Sequence, residues 1–200
     1  MDIKRKASMR AFALLLLAVL FFASCGGNHD YSPKPRGYFR IEYPKKEYQD
    51  YTGGCPFTFS YPKYTTIEPD KNADAKPCWV NMQFKQFNGT LHLTYEDVTS
   101  KKELNELMED ARKFVFKHSV KADGIYETPI ANANGKVYGI YYAIDGNAAS
   151  SVQFYLTDSA KHYLRGSLYF NSEPRLDSIQ PVLNFVKKDV DVMIKSFRWK

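Results

Sequence analysis

The chain opens on a basic stretch, Lys4, Arg5, Lys6 and Arg10, followed by an unbroken apolar run from Ala11 to Ala23, 13 residues long. That length matches a signal-peptide core and falls short of the roughly 20 residues of a membrane-spanning helix. Further on, apolar and aromatic positions recur in short blocks: Phe57–Tyr61, Trp79–Phe84, Leu91–Tyr95, Ile125–Ile130, Val137–Ile144, Ser151–Thr157 and Tyr163–Phe170. These blocks predict strands. Turn-forming residues punctuate them at Asn88-Gly89, Asn134-Gly135, Asp145-Gly146-Asn147 and Asp158-Ser159. Tyr38–Ile41 reads as a short first strand or a wrapping segment.

Two segments follow the helical period instead. In Ser100–Ser119 the positions Leu104, Leu107, Met108, Ala111, Val115 and His118 fall on one face, and Ser100 with Glu103 has capping-box spacing. Near the C-terminus, Ile179, Val182, Leu183, Val186, Val190, Met193 and Ile194 form one apolar stripe. There Ser178 is placed to cap and Pro181 to sit in the first turn. Ser196–Trp199 reads as a short closing strand. Strands, helix, strand meander, helix and a last strand predict an α+β sandwich with a mainly antiparallel sheet and two helices packed on it. The order is similar to the layout of the PsbP/Mog1 fold. In that fold an aromatic-Pro step ends an early strand, here Tyr61-Pro62, and a Ser-Phe pair opens the closing strand, here Ser196-Phe197.

Composition adds strand character through 15 Tyr and 14 Phe, and excludes a wholly disordered chain, since 44% of residues are hydrophobic. The net charge of +6 invites a polyanionic partner. Residues 1–24, however, hold four basic groups against Asp2, so without them the remaining chain carries only +3. No dense Lys/Arg stripe is left, and no nucleic-acid partner is expected.

The string Phe22-Ala23-Ser24-Cys25 resembles a bacterial lipobox, with Phe22 in place of the preferred Leu. In that class of signals the cysteine becomes the first mature residue and carries lipid, so Cys25 is expected to hold the chain on a membrane. The competing readings are an ordinary secretory signal with a stray cysteine, or a short anchor. The expected organisation is a signal peptide over 1–24, a lipidated Cys and extended tether over 25–36, and one α+β domain over 37–200. The Gly- and Pro-rich tether Gly26–Arg36 reaches at most about 35 Å.

Cys55 and Cys78 remain as an even pair in an exported chain, which suggests a disulfide. A simple hairpin of the strands they precede would hold them at opposite ends. The pair therefore requires either a loop that folds back or strands that are not direct partners. Two separate buried thiols are the alternative.

A resemblance covers nearly the whole exported chain. Its strings are Pro33 to Ile41 (Pro-Lys-Pro-Arg-Gly-Tyr-Phe-Arg-Ile), Cys55 to Phe59 and Cys78 to Asn81. They continue with Asp145 to Ser150, Gln153 to Ser159, His162 to Phe170 and the ending Phe197 to Lys200. Together these resemble the gliding motility lipoprotein GldD family of the Bacteroidota. The resemblance implies a cell-envelope lipoprotein required for gliding and linked to type IX protein secretion. It brings no catalytic or ligand residues and no cofactor.

The chemistry legible in the residues themselves is sparse. His29, His92, His118 and His162 are scattered, and no metal, nucleotide or hydrolase motif is present, so neither a metal nor another cofactor is expected. The one constellation open to an enzymatic reading is Ser150 or Ser151 with Asp158, His162 and Arg165. It would suit a ligand-binding or hydrolytic periplasmic lipoprotein. The preferred reading is non-enzymatic. Residues 145–170 hold Asp145, Asn147, Gln153, Asp158, His162 and Arg165 interleaved with aromatics, a composition suited to contacts with other gliding and secretion envelope proteins. A plain stable hairpin is the bland alternative. Asp158-Ser159-Ala160 and Asp177-Ser178-Ile179 also resemble the Asp-Ser/Thr-aliphatic O-glycosylation motif of Bacteroidota. Gly26 after the cysteine lacks the Asp that retains lipoproteins at the inner membrane under enterobacterial rules, and no acidic surface-export run follows, so the periplasmic face is expected, of the outer membrane with the inner membrane as the alternative.

Overall fold

Alternating apolar residues with turn chemistry between them make a sheet, and in the computed structural model seven strands join in one. The structure describes residues 40–171 and 176–200. The expected signal peptide 1–24, the Cys25 expected to carry lipid, the expected tether 25–36 and the Tyr38-Phe39 pair lie outside them.

The strands are β1 (Tyr48–Asp50), β2 (Phe57–Thr58), β3 (Ser60–Pro62), β4 (Thr66–Pro69), β5 (Val80–Phe84), β6 (Gly89–Asp97), β7 (Ala122–Asn132), β8 (Val137–Gly146), β9 (Ser150–Thr157), β10 (His162–Phe170) and β11 (Arg198–Trp199). The helices are α1 (Lys101–Phe116) and α2 (Leu176–Ser196). The main sheet runs β4-β5-β6-β10-β9-β8-β7, and every pairing in it is antiparallel. After β6 the chain crosses through α1 to the far edge, and the meander β7 to β10 returns until β10 pairs with β6. This is the expected mainly antiparallel sheet with two helices. Two small pairings, β1 with β3 and β11 with β2, lie outside it.

The two faces of the sheet bury different cores. Leu91, Leu93, Val152, Phe154, Leu156, Leu164 and Leu168 pack with Leu183, Val186, Val190 and Met193 of α2. On the opposite face Tyr142, Ile144, Tyr155 and Tyr163 pack with Leu104, Ala111 and Val115 of α1. Both helices thus use the apolar stripes seen in the sequence.

Several local expectations shift. Phe57–Tyr61 is two strands rather than one: β2 serves β11 and β3 serves β1, and the chain changes partner at the buried Phe59. Between Pro62 and Pro77, where the sequence pattern marks no strand, runs the edge strand β4. The first helix stops at Phe116, and Lys117–Val120 forms a tight 3-10 turn that delivers the chain to β7. Ser100 caps α1 as expected, its Oγ accepting from the Glu103 N–H at 3.2 Å, but Glu103 answers to Thr99, accepting from its N–H and Oγ at 2.8 and 2.7 Å. The last helix is already formed at Leu176, so Ser178 lies in its first turn and does not cap it. Pro181 lies inside the helix, past the first turn in which a proline costs no backbone bond, so the bond it would donate to the Asp177 carbonyl is lost.

Cys55 and Cys78 are joined, with Cα atoms 5.5 Å apart. The hairpin difficulty disappears because β2 and β5 are not partners.

Candidate functional site

The β9–β10 turn is organised by one carboxylate. Asp158 Oδ1 accepts the backbone N–H groups of Ala160, Lys161 and His162 at 2.9, 2.8 and 2.9 Å, while Ser159 takes the left-handed conformation at φ 66°. Burial works against the charge on Asp158, but the donated bonds from His162, Ala160 and Lys161 outweigh it and hold the carboxyl below its ordinary value.

This turn sets His162 at the start of β10, facing the end of β6. His162 Nδ1 lies 2.7 Å from Tyr95 Oη, and Tyr95 donates to Asp97 Oδ1 at 2.5 Å. A tyrosine has one proton to give, so Nδ1 carries the hydrogen of the His162–Tyr95 bond. Burial, with the Asp97 bond behind it, raises the Tyr95 hydroxyl well above its usual range. The imidazole stacks on Trp199 of β11, 5.2 Å between centroids and 19° between planes. Around them opens a cleft of about 490 Å³ whose lining includes Lys136, Asp158, His162, Arg198, Trp199 and Lys200. Three cations gather there, and the only carboxylate side chain among those residues is engaged by its own turn.

The other expected residues go elsewhere. Asp145 and Asn147 are exposed at the opposite end of the β8–β9 hairpin. Ser150 is buried there and donates to Val152 O at 3.1 Å. Seven or eight extended residues separate Ser150 and Ser151 from Asp158, more than about 20 Å. The serines are therefore not brought to the Asp158–His162 end. Gln153 is buried, 1% exposed, and Arg165 Nη2 donates to its Oε1 at 2.7 Å. The six residues named as one contact surface divide into an exposed pair, a cleft pair and an inner pair.

Sequence reasoning missed Trp199, Lys136, Arg198 and Lys200 at the cleft, because the C-terminal strand and the β7–β8 turn are remote in sequence from His162. It also missed Ser167, for which a signal existed: two positions beyond Arg165 on a strand means the same face.

That face of the sheet carries a polar row from Glu68 on β4 through Asn81, His92, Ser167 and Gln153 to Tyr142 and Glu127 on β8 and β7. His92 Nδ1–H donates to Asn81 Oδ1 at 2.7 Å, and Thr90 donates to Gln83 at 2.8 Å. On β4 to β6 the row is partly exposed and borders a shallow cleft of about 330 Å³. Among the described residues no group of three or more His, Cys, Asp or Glu is placed to hold a metal ion.

The family model described as gliding motility lipoprotein GldD matches residues 28–199. The solution structure of cyanobacterial PsbP (CyanoP) from Synechocystis sp. PCC 6803 is similar at a TM-score of 0.49 and 14% identity, over 81% of this chain and 98% of that one. No curated protein matches the chain.

Proposed function

Since residues 28–199 carry the match, this chain belongs to the gliding motility lipoprotein GldD family, and we propose that it acts there as a non-enzymatic docking component. In this reading lipid on Cys25 holds the domain at the periplasmic face of the outer membrane. The domain then contacts other envelope proteins of the gliding apparatus and of type IX secretion. The family match carries the reading. The structure offers two features suited to contact: a cation-lined cleft at His162 and Trp199, and a polar sheet face left partly open on β4 to β6.

The test is cross-linking of the tagged full chain in intact cells, followed by purification in detergent. Recovery of defined gliding or secretion proteins, reduced when Lys136 and Arg198 are both changed to Glu at normal protein level, supports the reading. Normal motility and secretion in a Cys25→Ala strain whose protein is released from the membrane overturns it.

A further inference from the structure

The middle of the polar row is where the structure leaves hydrogen bonding incomplete. Gln153 and Ser167, facing each other on β9 and β10, are 1% and 4% exposed. Gln153 Nε2 and Ser167 Oγ have no hydrogen-bond partner, and neither has the buried Nε of Arg165 beside them. Arg165 Nη2 already occupies Gln153 Oε1, so the amide offers only its NH₂. All three vacant groups can donate, and two of them can do nothing else.

Positive charge surrounds them. The Arg165 guanidinium lies 4.7 Å from the Phe114 ring centre, and Lys117 Nζ lies 4.8 Å from the same centre. His118, next to Lys117 in the 3-10 turn, is held below its usual basicity by burial and then by the Arg165 charge. Burial lowers the basicity of Arg165 itself, opposed by Tyr163 and Tyr169. Among the described residues Arg165 takes part in no ion pair. A partly desolvated cation beside buried, unsatisfied donors is costly unless an acceptor completes the set.

We propose that this cluster is an oxyanion site. A carboxylate or phosphate group would accept from Arg165 Nε, Gln153 Nε2 and Ser167 Oγ and supply the missing negative charge. Phe114, whose ring lies against the Arg165 guanidinium, is 42% exposed and belongs to neither apolar core, so a shift of its side chain need open neither. The site is independent of the docking role argued above.

The test uses the full chain in a non-ionic detergent. Thermal midpoints are followed against sodium phosphate, sodium acetate and a triglutamate peptide, each matched in ionic strength with sodium chloride. The midpoint is expected to rise with oxyanion concentration by several degrees beyond chloride. The rise is lost in Arg165→Met, which keeps the buried stem without the charge. Gln153→Glu places a carboxylate beside Arg165, so this variant should melt higher than the parent without added anion and ignore phosphate. A response to phosphate alone assigns a dissolved phosphate. A response to triglutamate exceeding that to acetate assigns a protein carboxylate. Equal responses of the parent and Arg165→Met, or no response beyond chloride, overturn the proposal.

Discussion

Lys46 Nζ lies 2.7 Å from Asp189 Oδ1, joining the segment before β1 to the middle of α2 across 143 residues of chain. Asp189 is 1% exposed. Its carboxylate also accepts from Tyr48 Oη at 2.8 Å and, by a short bond, from Tyr64 Oη. Lys46 further donates to Phe185 O at 3.0 Å and lies over that residue's ring. Removing one partner of a buried pair strands the other in a poor solvent. Lys46→Met should therefore cost about 3 kcal/mol, a loss of about 10 °C in melting midpoint. Tyr64→Phe should cost about 1 kcal/mol. Urea titration of both variants checks the ranking.

The Cys55–Cys78 bridge closes a loop with a sequence separation of 23 that contains β4. Confining that loop in the unfolded chain is worth about 3 kcal/mol. Reductant, or the double change Cys55→Ala with Cys78→Ala, should lower the melting midpoint by about 10 °C. The double variant should no longer respond to reductant.

Gly139 on β8 faces Leu156 on β9, and a Cβ added to it would stand 1.8 Å from the Tyr155 carbonyl oxygen. The obstacle is backbone, so the two strands would have to part. Gly139→Ala should destabilise by about 3 kcal/mol or more. Gly54 has nothing within 4 Å of the same added atom. Gly54→Ala is the control and should melt almost as the parent does.

His92 and His118 are both held below the ordinary imidazole value. Burial is the main cause in each; Asp70 partly offsets it for His92, and Arg165 adds to it for His118. In the unfolded chain each imidazole takes up its proton near pH 6.5. Between that pH and the lower folded value, the unfolded state binds more protons. Stability from these residues is thus complete above about pH 6.5 and is lost as the pH falls below it. Denaturant midpoints should drop from pH 7 to pH 5, and the double variant His92→Asn with His118→Asn should flatten that drop.

How far the chain could be read before folding is clear at particular residues. Asn88, predicted as a hairpin turn with Gly89, takes the left-handed conformation at φ 51° just before β6. The α1 cap at Ser100 was equally plain. Both depend on bonds within four residues. The Tyr95–His162 bond spans 67 positions, and the His162–Trp199 stack joins two strands of different sheets. No local pattern contains either.

By itself the sequence determined most strands of the main sheet, both helices, the apolar stripes that bury each helix and the family. All of these follow from periodicity, turn chemistry and short strings that act locally along the chain. Only the tertiary structure decided that β10 returns to pair with β6, and that Cys55 meets Cys78 because β2 serves β11. It also decided that Gln153, a polar residue within a hairpin, lies inside, with the Nε of the half-buried Arg165 enclosed beside it. The reason is physical: alternation says which residues share a face, but what covers that face depends on where α1 and its closing turn come to rest.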